Sequence, residues 1–183
     1  MKLEKLHKDS FYHIYNRGIN GERIFVSAEN KQYFLKLLGN YVVDVASVYS
    51  YCLMDNHYHL LIQLNDDGDK VTQRLSNFFN AYAKAFNKAN NRTGSLFEKH
   101  FRRIKISGED YLKHLIVYIH LNPLHHFGID FKSFSYSSYK SFLNDRPTKI
   151  NRQEVVSLFG SLENFVFIHD EKKDVLDEKY KLE

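Results

Sequence analysis

Residues 45–64 constrain the fold more than any other stretch of the chain. Residues 45–54 read as a strand, Asp55-Asn56 as a tight turn, and residues 57–64 as another strand with Tyr58, Leu60, Ile62 and Leu64 on one face. A two-residue link between such runs predicts an antiparallel hairpin. Period 2 puts His57 and His59 together on the face opposite that apolar set.

The flanking segments extend the pattern. Residues 11–17 are aromatic and β-branched and close on the 18–21 turn region, which predicts a first strand. Ser27 can cap a helix over 28–44, where Phe34, Leu37, Leu38, Tyr41 and Val42 recur at helical spacing. Beyond a polar loop at 65–69, Leu75, Phe78, Phe79, Tyr82 and Phe86 form one apolar stripe of a helix over 71–90. Residues 95–106 predict a fourth strand or extended segment. Ser107 is a good N-cap for a helix with Glu109 and Asp110 in its first turn and an end near Pro123. The order strand, helix, hairpin, helix, strand, helix predicts an α+β domain, a ferredoxin-like antiparallel sheet with helices packed on it. We expect this domain to span residues 1–130. Residues 131–183 form a C-terminal extension packed on it or trailing from it, with a short helix at 153–159 and a charged last stretch that is frayed or an exposed helix.

At 183 residues the chain fits one domain with a real core, and 43% hydrophobic residues argue against disorder before the tail. Cys52 has no intramolecular partner, and residues 1–10 lack an apolar run ahead of a cleavage site, so the expected compartment is the cytosol. No run approaches the ~18 apolar residues a membrane helix needs.

The net charge of +4 is unevenly spread. Between Lys70 and Lys105 nine basic residues face Glu98 alone, which marks a plausible phosphate-contacting surface. Candidate contacts are Arg74, Lys84, Lys88, Arg102, Arg103 and Lys105, with Arg17 near the first strand. Taken singly, most of these read better as solvated surface charges; the case rests on clustering.

His57 and His59 can converge on one cation, but two imidazoles make a weak metal site without a third donor. In the helix opened by Ser107, ~100° per residue brings Tyr111, His114, Tyr118 and Asn122 close to one line, with His125 joining if the helix persists past Pro123. Leu112, Leu115, Ile116 and Ile119 form an adjoining apolar face for the sheet. Tyr118 and Asn122 thus project a phenol and an amide oxygen together. A tyrosine attacking phosphorus conserves phosphodiester energy in a phosphotyrosine, so a strand can be resealed without ATP. Its ordinary pKa near 10 calls for assistance, which a divalent ion on a phosphate oxygen provides. The plainer alternative for Tyr118 is a core aromatic with its hydroxyl at the rim.

Asn56-His57-Tyr58-His59-Leu60-Leu61 resembles the His-hydrophobic-His motif of the HUH endonuclease superfamily. Tyr118-Ile119-His120-Leu121-Asn122-Pro123 resembles the catalytic-tyrosine helix of REP-associated tyrosine transposases, relatives of the smallest insertion-sequence transposases. The likeness extends to Tyr12 through Gly18, to Gly94 through Glu98 with Phe101-Arg102, and to Ser137-Ser138-Tyr139, covering roughly residues 11–160. It implies that His57, His59 and Asn122 hold Mg²⁺ or Mn²⁺, with no nucleotide cofactor. It further implies that Tyr118 forms a 5′-phosphotyrosine, and that the partner is single-stranded DNA carrying a hairpin and a guide tetranucleotide. Tyr111 is a reserve nucleophile and His114 a candidate proton acceptor. The long tail tips the expectation weakly toward a monomer over a homodimer. The competing readings are a catalytically silent DNA-hairpin-binding regulator of the same fold and a small-phosphoester metallohydrolase; the latter lacks the carboxylates such sites commonly use.

Overall fold

The computed structural model describes residues 4–173. Its strands are β1 (Phe11–Arg17), β2 (Ala46–Leu53), β3 (His57–Leu64) and β4 (Arg102–Ile106), all paired antiparallel in the order β2-β3-β1-β4. This is the ferredoxin-like arrangement the element order predicts. The β2–β3 hairpin turns at Asp55-Asn56, and a bulge between Val48 and Ser50 shifts its register.

Two helices cover one face. In α1 (Ala28–Tyr41) the Ser27 hydroxyl accepts from the Asn30 N–H at 3.3 Å, the cap expected there. In α2 (Gly68–Ala89) Val71, Leu75, Phe78, Phe79, Tyr82 and Phe86 are buried against Tyr12, Ile14, Tyr58, Leu60 and Ile62. Burial of each such side chain stabilises the fold by about 1.5–3 kcal/mol.

The other face carries a separate core, where Tyr49, Cys52 and Leu61 meet Leu115, Ile116 and Ile119 of α3 (Glu109–Phe127). The segment after α3 supplies α4 (Tyr139–Phe142), α5 (Arg152–Leu158) and α6 (Leu162–Lys172) to the same core through Tyr139, Phe142, Val155 and Phe165. It also lies along the outer edge of β2. Leu53 N–H donates to Tyr136 O at 2.9 Å, Ser138 N–H to Tyr51 O at 3.0 Å, and Asn151 N–H to Val48 O at 2.8 Å. These bonds satisfy backbone groups that an open edge would expose. The sequence-based expectation for the tail beyond residue 173 lies outside the described residues.

The structure ends α1 at Tyr41 and not at 44, starts α2 at Gly68 inside the expected 65–69 loop, and alters three further boundaries. The N-cap of α3 is Gly108, at φ 87, and not Ser107. That left-handed conformation disfavours any residue with a Cβ, so the chain turns one position later than a serine cap requires. The helix also runs past Pro123 to Phe127 instead of ending near it. Proline removes one backbone bond, but Leu121, Asn122 and Pro123 are all buried, and that packing offsets the loss. The left-handed Gly128 ends the helix, its N–H reaching Leu124 O at 2.9 Å. Finally, of residues 95–106 only Arg102–Ile106 is regular strand; the rest is irregular, bending at Leu96, Lys99 and His100, with one bridge between Gly18 and Phe97.

Candidate active site

The antiparallel register sets which side chains share the histidine face. Tyr15 lies opposite His59 on one side and Arg102 on the other, and Arg17 lies opposite His57. His13, Tyr15, Arg17, His57, His59 and Arg102 therefore project to the α3 side. Tyr58, between the two histidines, points into the α1–α2 core with no exposed surface, and burial pushes its phenol well above the ordinary tyrosine value. It is excluded as a nucleophile despite its place in the motif.

The two imidazoles meet edge to face, with ring centroids 5.2 Å apart. His57 is 8% exposed and His59 1%. His57 Nδ1 donates to Asn56 Oδ1 at 2.7 Å, because an amide oxygen can only accept, and this puts the His57 lone pair on Nε2. His59 Nδ1 sits 2.9 Å from Nε2 of His13, a fully buried residue on β1. Burial, with His59 close by, holds the His13 imidazole well below the usual histidine value.

Helix α3 passes over this pair. The Tyr118 ring is 5.7 Å from that of His59, and the His126 ring is 5.3 Å from that of His57. Residues 118, 122 and 126 are successive positions on one helical face, so Asn122 lies between the two contacts. Its amide has a defined direction. Nδ2 donates to Tyr118 O at 2.9 Å, while Oδ1 is buried with no hydrogen-bond partner among the described residues. A buried amide oxygen without a partner is costly unless something else occupies it. Among the described residues no three His, Cys, Asp or Glu side chains are grouped to hold a metal ion. Any cation gripped by His57 and His59 therefore needs a third donor of another type, and the Asn122 oxygen has the right chemistry.

The remaining candidates are distributed unevenly. Tyr111 and His114 lie on α3 before Tyr118; Tyr111 is half-buried against the adjoining core, and His114 Nδ1 is 2.7 Å from Asp110 O. A cavity of about 340 Å³ opens beside the histidines, lined by Tyr15, Arg17, Asn56, Glu98, Arg102 and Phe127 among others. Arg17 Nε contacts Glu98 Oε1 at 2.5 Å. Arg103 and Lys105 pair opposite Ile14 and Tyr12, which places them on the α1–α2 side of the sheet; Arg103 stacks 4.4 Å over the Phe101 ring. Lys84 and Lys88 are exposed on α2, which covers that same remote side. Arg74 donates to Tyr41 O at 2.8 Å and to Asn40 O at 3.2 Å, tying α2 to the end of α1. Of the basic candidates, only Arg17 and Arg102 line the cavity.

Sequence reasoning missed two groups. His126 reaches the site because α3 outlasts Pro123, whereas His125 turns away, its Nε2 3.3 Å from Lys173 O. A buried chain also links α3 to the C-terminal segment. His120 Nε2 is 2.8 Å from Ser138 Oγ, His120 Nδ1 is 2.9 Å from His169 Nε2, and His169 Nδ1 is 2.7 Å from Phe165 O. The terminal carbonyl fixes every proton. His169 donates from Nδ1 and accepts at Nε2, so His120 donates from Nδ1 and accepts the Ser138 hydroxyl. Burial lowers both imidazoles, His169 to about 4.

The fold and the site together define the chain as an α+β, ferredoxin-like protein whose tyrosine-bearing helix crosses a histidine pair on the sheet. Its structural likeness is to a REP-associated tyrosine transposase solved bound to a REP hairpin, with TM-score 0.60 and 14% identity over 78% of this chain and 86% of that one. At that identity the likeness establishes the shared fold. No family model and no curated protein matches the sequence. Among the described residues no helix is long and apolar enough to cross a membrane.

Proposed function

We propose that this chain is a metal-assisted, transposase-like enzyme that nicks and rejoins single-stranded DNA through Tyr118, acting on hairpin-containing substrates. The observation that carries the reading is the crossing of α3 over the histidine face, with the Tyr118 ring 5.7 Å from His59. Hairpin binding by the structural neighbour supports the substrate class.

In this reading the Tyr118 hydroxyl oxygen attacks phosphorus. The new O–P bond forms as the P–O3′ bond breaks, leaving a 5′-phosphotyrosine and a 3′-oxygen that departs as a hydroxyl after taking up a proton. The phenolic proton must leave, and His114, one turn earlier on α3, is the candidate acceptor. Return attack by a 3′-hydroxyl reverses these bonds and reseals a strand. His57, His59 and Asn122 would hold Mg²⁺ or Mn²⁺, which when bound polarises a phosphate oxygen and favours in-line attack. Arg17 and Arg102 would neutralise backbone phosphates at the cavity mouth, giving affinity without sequence reading.

The decisive experiment incubates the protein with end-labelled single-stranded hairpin DNA and Mn²⁺ and scores covalent DNA–protein adducts on denaturing gels. Tyr118→Phe is expected to abolish both nicking and adduct while leaving DNA affinity within a few-fold. A Tyr118→Phe variant that still nicks assigns the nucleophile elsewhere. Hairpin binding by the wild type with no adduct under any divalent ion makes the chain a silent hairpin-binding regulator.

A further inference from the structure

His13 is fully buried, yet its Nδ1 has no hydrogen-bond partner among the described residues. Its other nitrogen, Nε2, lies 2.9 Å from His59 Nδ1. The rings are stacked, with centroids 5.1 Å apart and planes 17° from parallel, and Tyr15 packs on the His13 ring at 4.7 Å. A leucine would fill such a position and leave no orphaned polar atom. A histidine kept there at that cost needs a reason outside packing.

The two histidines of the pair have different supports. His57 is oriented by Asn56, an acceptor supplied by the preceding residue. His59 sits in the interior of β3, where its neighbours Tyr58 and Leu60 point to the other face, so its support must come from across the strands. His13 and His59 are diagonal neighbours on β1 and β3, since His13 pairs with Leu61 and Tyr15 with His59. A ligating histidine needs an acceptor for its other N–H, both to fix the tautomer and to aim the ring. His13 Nε2, 2.9 Å from His59 Nδ1, is placed to be that acceptor.

Resting on the metal-assisted reading above, we infer that His13 is a positioning residue for the metal ligand His59: its Nε2 accepts the His59 Nδ1–H and so presents the His59 Nε2 lone pair to a divalent cation. Nδ1 of His13 then carries its own proton into a site without an acceptor, which accounts for the orphaned atom. His13 touches neither substrate nor metal.

The test measures Mn²⁺ affinity of the full chain by calorimetry and by the electron paramagnetic resonance of free Mn²⁺, without DNA. His57→Ala and His59→Ala serve as controls. His13→Leu removes the acceptor and is expected to weaken Mn²⁺ binding 10–100-fold. His13→Gln, whose Oε1 can accept, is expected to stay within a few-fold of wild type. A merely structural role would lower metal-free thermal stability alike in both variants without separating their affinities. Loss of binding in the controls with unchanged affinity in His13→Leu overturns the inference and leaves the proposed function standing. Wild-type affinity in both controls removes the metal site itself, and the proposed function with it. Should His13→Leu fail to fold, ¹⁵N spectra of the wild type with Zn²⁺ decide: a proton on His59 Nδ1 supports the assignment, and one on Nε2 overturns it.

Discussion

Acid should weaken this fold through the His120–His169 pair. Both rings are fully buried, and the Ser138-to-Phe165 chain assigns each nitrogen a single role that an added proton would violate. Their folded values lie below the ordinary 6.5, with His169 at about 4. The sign follows from proton counting: below 6.5 the unfolded chain binds protons that the folded chain refuses. The pair therefore costs nothing above pH 6.5, and stability falls from there down to the folded values. At pH 5.5 each histidine weakens the fold by on the order of 1 kcal/mol relative to pH 7.5, roughly 3 kcal/mol for the two. That is a large share of the 5–15 kcal/mol typical of a domain. The chain has no Trp, so urea unfolding is best followed by far-UV circular dichroism. A His120→Phe/His169→Leu double variant isolates the contribution, since all other titrating groups remain. Between pH 7.5 and 5.5 the wild type is expected to lose about 3 kcal/mol more than the double variant. Equal losses would refute the assignment of two neutral, proton-refusing imidazoles.

Other outcomes follow from the site and its surroundings. Arg102→Ala is expected to weaken single-stranded DNA binding and lower the salt slope by roughly one unit, whereas Lys84→Ala/Lys88→Ala, on the remote face, leaves cleavage unchanged; equal effects on cleavage would remove the cavity as the DNA path. Gly18→Ala would set a Cβ 1.9 Å from Glu22 O, at the point where Gly18 N–H meets Asn56 O at 2.8 Å. We expect it to lower stability by about 1–3 kcal/mol in urea melts, and an unchanged midpoint would show that the Glu22 turn yields freely.

Much of the architecture was legible because short-range periodicity carries it. The alternation of residues 57–64 gave the hairpin, the buried face and the histidine pair, and the stripe from Leu75 to Phe86 gave α2. What was hidden depends on register and on the third layer. Nothing local tells that His13 sits diagonal to His59, because pairing offsets between distant strands are not written in either strand. Period 2 would have separated Arg102 from Arg103 and Lys105, but charge clustering treats them alike. Proline is a good local stop signal, and tertiary burial overrode it at Pro123, which is how His126 came to the site unannounced. The Ser137-Ser138-Tyr139 signature was visible as a motif, yet its use in clasping His120 needed coordinates.

The clasp on His120 has a mechanical corollary. His120 is two residues from both Tyr118 and Asn122, and its imidazole is bolted through Ser138 and His169 to segments that follow α3 in the same polypeptide. A helix anchored so close to Tyr118 is a fixed jaw, with the sheet as the anvil beneath it. If the chain works as proposed, such an anchored helix leaves the exchange of strand ends to movement of the DNA and not of α3.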